Sequence, residues 1–369
     1  MWQTTSESTT RPIEVREIIP SPTAITFEQT SPIVSINKND PVKSFAIVDD
    51  FPVTNAWRMA FSPDGEQLYV LHRPLLESNF QVSVVEVPSY EISQIITLGP
   101  GYGMALAPAP NGEKIYVTIS EAIGQNTSWG ENRIDIIDTK TFQVTNSLPV
   151  QGHQFGPTAI VFWHNGQKAY VSHRGANLVY VIDIEREVLI GQIPVGTKPT
   201  NMAVTRDDNR VYVVNGPNST VAVIDTAIDR VIQSIPSSLE ATSSYAFIAL
   251  TPDGREAYVV HRDDPVISVI DTDATSPTYH QITGRIPTSS TEFRNITVTP
   301  DGKYVLAASP SSGIIIIDVD PTSATYHNQV GSISIGYAVG YIIFHPSRSE
   351  AYVLGEGDTI TVLAYTPTP

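Results

Sequence analysis

The chain has 369 residues, no cysteine and a formal net charge of −16 at pH 7. The missing thiols exclude disulfides, thiolate metal sites and cysteine nucleophiles. The acidic balance, 38 Asp and Glu against 22 Lys and Arg, argues against a surface that grips nucleic-acid phosphates or anionic lipid. No apolar stretch approaches the ~20 residues that span a bilayer, so neither nucleic-acid partners nor membrane insertion are expected.

Residues 1–30 are rich in Thr, Ser, Glu and Pro and show no sustained periodicity; they read as a flexible tail. They lack the basic and apolar regions of a signal peptide. Next, Ile33–Val48 aligns with Val221–Ile235, which predicts an N-terminal strand near Lys43–Val48. Residues 33–37 resemble a further strand, whose use is open. From Trp57 the chain reads as strand Arg58–Phe61, turn Ser62-Pro63-Asp64-Gly65, strand Gln67–Leu71, then Val82–Val87 and Ile92–Leu98. Pro at the second turn position and Asp-Gly after it suit a tight reversal.

This unit recurs. The turn glycine or its stand-in falls at Gly65, Gly112, Gly166, Asp208, Gly254, Gly302 and Arg348. Four residues later comes Tyr69, Tyr116, Tyr170, Tyr212, Tyr258, Leu306 or Tyr352. Copies are about 42–54 residues apart, each with about four short strands, the signature of a β-propeller. The second copy carries an insertion that holds Trp129, and the seventh, ending near Thr359–Tyr365, lacks a fourth strand. The expected fold is therefore all-β: a seven-bladed propeller over residues 31–366, with four-stranded antiparallel blades. The N-terminal strand closes the ring and removes two exposed sheet edges. Residues 367–369 read as a linker remnant.

Tyr212–Gly216, Val221–Ile235 and the Ser-Pro-Asp-Gly turn resemble the YVTN-type propeller repeat. That resemblance covers roughly residues 33–366 and implies a seven-bladed propeller, often secreted or on microbial surfaces. More distantly, the chain is similar to the propeller lactonase group. No catalytic motif of that group matches position by position, so no catalytic residue carries over.

Strand direction nominates one face. The first strand of each copy runs to the Pro-Asp-Gly turn and the second runs back, so the start of one and the end of the other share a face. Three copies end their second strand there in His-Arg: His72-Arg73, His173-Arg174 and His261-Arg262. With strands about 4.8 Å apart, histidines two blades apart would be separated by roughly 19 Å, too far for one zinc, whose ligands lie about 2 Å from it. No metal or cofactor is expected. The longer arginines are able to lean toward the channel mouth as an anion-binding ring. The plain alternative is that each pair caps its loop and packs on the next blade. First-strand starts add Trp57, Arg58, Tyr102, Thr158, Asn201, Tyr245, Arg294, Asn295 and Tyr341, which line a pocket or plug the channel. The aspartates Asp138, Asp183, Asp225, Asp271 and Asp318 recur with the repeat and are expected to hold the following turns. Calcium at Asp207-Asp208-Asn209 is a weaker idea.

The leading expectation is a non-enzymatic binding or scaffold propeller, monomeric, with a small-molecule or protein partner on the His-Arg face. An extracellular or cell-surface location is expected, with a cytoplasmic one left open. The alternative is a lactonase-, hydrolase- or lyase-type enzyme at the channel mouth. There Arg58, Arg73, Arg174, Arg262, Asn201, Tyr245, Arg294 and Tyr341 would hold an anionic or carbonyl ligand. His72, His173 or His261 would serve as general base.

Overall fold

A computed structural model describes residues 44–367 apart from 75–76, 78, 121–131, 152–154, 217–218, 238–244 and 357. The described residues form seven four-stranded antiparallel sheets. Six sheets are consecutive in sequence, their first strands beginning at Ala56, Tyr102, Pro157, Pro199, Ala246 and Asn295. The seventh joins the last three strands to Phe45–Pro52, at the far edge beside Thr359–Tyr365. First strands touch first strands from blade to blade, and blade seven meets blade one. The ring is thus closed by the N-terminal strand.

That closing strand starts and ends later than its sequence pattern implied. It runs Phe45–Pro52, with Phe45 opposite Tyr365, Pro52 opposite Thr359 and a bulge between Ile47 and Asp49. Phe45 stacks on Tyr365 at 4.8 Å and Phe51 on Tyr90 at 4.6 Å. Lys43 and residues 33–37 lie outside the described residues. Across the same seam, His345 Nε2 is 2.9 Å from the carbonyl oxygen of Gly65 and so carries the proton between them.

The second and third strands are apolar on both faces because sheets cover both sides of them. Tyr69, Val70, Leu71, Val82, Val84 and Val85 are all buried. Seven apolar clusters form the core, one between each pair of neighbouring sheets. Fourth strands face solvent and alternate, as in Val188–Pro194.

Turn chemistry repeats with the blades. Gly65 sits at φ +78° and donates its N–H to Ser62 O at 2.9 Å, while Ser62 Oγ donates to Asp64. Thr205–Asp207, Thr251–Asp253 and Thr299–Asp301 do the same. Asp208 replaces glycine at φ 59°, a conformation short polar side chains tolerate. Its carboxylate faces the backbone N–H and Nδ1 of His164, and Asp207 is held by Thr205 and Asn209. The carboxylates considered for calcium therefore serve the turn. Asp138 accepts from the N–H groups of Lys140 and Thr141, and Asp225 from that of Ala227; the recurring aspartates fasten the third-to-fourth-strand turns.

Candidate functional site

The starts of the first strands and the ends of the second strands meet on one face. Ala56 pairs with His72, Pro157 with His173 and Ala246 with His261. Each arginine that follows donates its backbone N–H to the lead of its own blade: Arg73 to Asn55, Arg174 to Gly156 and Arg262 to Tyr245. The backbone thus sets where these side chains leave the sheet.

The three histidines do not reach the channel. All are buried. His72 Nε2 lies 2.8 Å from Ser83 Oγ, His173 Nε2 3.3 Å from Asn132 Nδ2, and His261 Nε2 2.9 Å from Ser237 Oγ. Burial pulls all three pKa values down, to about 4 for His173 and His261. A neutral, enclosed imidazole that braces neighbouring strands is badly placed to take a proton from bound substrate. The base role considered for them gains no support from this geometry.

The other nominees divide. Arg58, Tyr245, Arg262, Arg294 and Tyr341 line one cavity of about 440 Å³ at the channel mouth. Arg73, Arg174 and Asn201 are not on its wall. Arg73 lies over the rings of Phe80 and Tyr102, with its guanidinium carbon 5.8 and 5.6 Å from their centroids. Arg174 leans across two blades, donates to Tyr245 Oη at 2.9 Å and covers the Tyr245 and Phe155 rings. Asn201 Oδ1 accepts the N–H of Ile248 in the next blade, and Asn295 does likewise for Ile342. Thr158 bonds Ser172 and the carbonyl of Pro199. Inner-strand polar groups therefore tie blades together more often than they face the channel.

Within the cavity the arginines differ. Glu292 pairs with Arg262 at 3.1 Å and with Arg294 at 3.5 Å, and Arg294 reaches Glu356 at 2.9 Å. Arg58 has no carboxylate within 4.0 Å among the described residues. Its guanidinium carbon lies 5.3 Å from the Trp57 ring centroid and 5.2 Å from that of Tyr341. One nitrogen donates to Trp57 O at 2.8 Å, and the half-buried residue stands on the cavity wall. Burial lowers the Arg58 pKa, with Tyr341 and Tyr245 opposing; the guanidinium is a partly buried cation with no carboxylate partner among the described residues.

Sequence reasoning missed Glu292, Phe247, Phe293, Met104 and Asp358, which line or support this cavity. One signal was legible: Glu356 stands in blade seven where three other blades have arginine. The insertion around Trp129 lies outside the described residues. No group of three or more side chains suited to a metal occurs among the described residues.

A family profile described as "Lactonase, 7-bladed beta-propeller" matches residues 106–230 and 226–341, together more than half of the chain. No curated protein matches. Among solved structures, the β-propeller domain of Myceliophteria thermophila Cps50 (Swd1) superposes with a TM-score of 0.69 at 13% identity, covering 87% of this chain and 100% of that one. Kuenenia stuttgartiensis hydrazine synthase superposes with a TM-score of 0.70 at 18% identity, covering 86% and 97%. At such identities the likeness concerns the fold alone.

Proposed function

The chain belongs to the seven-bladed β-propeller lactonase family, and from that membership we propose that it is a small-molecule propeller whose anionic or carbonyl-bearing ligand enters the channel mouth at Arg58. The observation that carries this reading is the state of Arg58: on the cavity wall, beside two rings, and without a carboxylate partner among the described residues. An isolated cation away from bulk water gains strongly from an arriving anion. Binding without chemistry is the reading this geometry supports best.

Lactone opening is the second reading. The family match favours it, and so do two carboxylates, Glu356 and Asp358, on the same wall. Glu356 is paired with Arg294, and Asp358 accepts the backbone N–H of Asn55 at 2.7 Å. Water would add to the lactone carbonyl while one carboxylate takes its proton. Arg58 would stabilise the oxyanion. Breaking the ring C–O bond and returning the proton to the ring oxygen would give the hydroxy acid. Acid release from aldono- and aryl-lactones, followed by pH-stat, separates the two. Release that falls at least tenfold in Asp358→Asn or Glu356→Gln, with ligand still bound, assigns catalysis. Arg58-dependent binding without release assigns a binding module, and neither result overturns the proposal. The secreted or surface setting belongs to the same proposal and is checked by fractionating the native host.

A further inference from the structure

The cavity has the chemistry to choose among anions. Three arginines line it, yet Arg262 and Arg294 share Glu292 and Glu356. Among the described residues, Arg58 is the cavity arginine without an ion pair. Five rings stand on the cavity wall: Trp57, Tyr245, Phe247, Phe293 and Tyr341. Several polar neighbours are already engaged. Asn55 Nδ2 donates to the carbonyl of Arg73 at 2.6 Å, Asp358 accepts from Asn55, and Glu356 holds Arg294. Trp57, 49% exposed, stands at the entrance.

We infer that the channel takes a flat monocarboxylate, an aromatic or conjugated ring with one carboxylate, in preference to a sugar phosphate. The inference rests on the anion-binding reading above and names its ligand class. A guanidinium beside the rings of Trp57 and Tyr341 carries its N–H donors in its own plane, where they match the two oxygens of a carboxylate. A flat ring behind that carboxylate lies against the aromatic walls, in offset-stacked or edge-to-face contact. A phosphate dianion brings a second charge, for which the described wall residues hold no further cation outside an ion pair, and removing it from water is costly. A sugar brings several hydroxyls, which the ring faces leave without partners.

The test is calorimetric titration of the full chain with 2-naphthoate, 2-naphthol, gluconate, glucose 6-phosphate and inorganic phosphate, with tryptophan emission read in parallel. We expect 2-naphthoate to bind tightest and to quench emission, with the quench lost in Trp57→Phe. Arg58→Met should weaken naphthoate roughly ten- to hundred-fold and leave the weak binding of naphthol unchanged. Arg58→Lys, which keeps the charge and loses the planar fork, serves as a second variant and should recover only part of the affinity. Tighter, Arg58-dependent binding of glucose 6-phosphate, phosphate or gluconate overturns the ligand class and leaves the anion-binding reading standing. Binding of naphthoate that is equal in wild type and both variants, or no binding by any probe, overturns both.

Discussion

Two cavities on opposite faces of the propeller differ in size and in the state of their charges. The larger, about 640 Å³, lies on the Pro-Asp-Gly face around Asp253, Glu256, Asp271, Asp273, Asp301 and Asp320, with Arg206, Arg255 and Lys303. Its carboxylates are all committed. Asp253 accepts from Thr251, Asp273 from Thr275, Asp301 from Thr299 and Tyr365, and Asp320 from Thr322. Glu256 accepts from Tyr258 at 2.5 Å and Tyr326 at 2.7 Å. Arg206 of this larger cavity has no ion pair among the described residues but is exposed to water. In the smaller cavity, at the channel mouth, Arg58 has no carboxylate partner among the described residues and is half-buried. Volume alone would choose the first; the state of the charged groups chooses the second, since a hydrated cation has less to gain from a ligand than a partly buried one.

The largest effect should come from the strand that serves both faces. Deleting residues 1–52 removes Phe45–Pro52, uncovers Thr359–Tyr365 and exposes the partners of Phe45 and Phe51. Unfolding or aggregation is expected, whereas deleting residues 1–30 should leave the melting temperature nearly unchanged. A 1–52 deletion that melts like the full chain would show that the ring holds without this strand.

Acid comes next, and it should not strike the faces equally. His72, His173 and His261 end strands at the channel-mouth face, and burial depresses their pKa values, to about 4 for the latter two. His280, on the other face, is also lowered to about 4. The unfolded chain takes up these protons near pH 6.5. The stability they supply is complete above that pH and is lost as pH falls from 6.5 toward 4, on the order of one to two kcal/mol near pH 5 for each of His173, His261 and His280. Melting temperatures at pH 7 and pH 5 measure the sum. Hydrogen exchange should show the ends at His72, His173 and His261 loosening before the Pro-Asp-Gly turns. A flat profile from pH 7 to 5 would contradict the buried-neutral assignment.

A smaller effect tests the independence of the faces. Glu256→Ala removes the acceptor for two tyrosine hydroxyls and the His327 partner at 3.6 Å. It should cost about 1–3 kcal/mol in denaturant unfolding and leave channel binding unchanged. A shift in ligand affinity would mean that the two cavities communicate.

Some of this was readable in the residues and some was not. The recurring turn, tyrosine and aspartate positions identified the blades, and the tyrosines and aspartates occupy the structural places their periodicity implied. A second repeat went unread: Asp271–His280 and Asp318–His327 share Asp-x-Asp-x-Thr-Ser-x-Thr-Tyr-His. In both, the first aspartate accepts from the serine and the second threonine, and the tyrosine stacks on the histidine, at 3.6 and 3.7 Å. Its identity in two adjacent blades was a signal at hand.

The number of blades, the face on which the His-Arg pairs end and the closure of the ring were legible in the residues, because they follow from local periodicity and strand direction. Which cavity arginines are ion-paired was settled by the folded arrangement. The partners of Arg262, Arg294 and Arg174 are Glu292, Glu356 and Tyr245, and for Arg294 and Arg174 they come from other blades, distant in sequence and brought near by the closing of the ring. Charge compensation depends on distances across the channel, which no repeat encodes. So the histidines, prominent as a motif, became buried braces, and Arg58, inconspicuous beside Trp57, became the cavity arginine with no ion pair among the described residues.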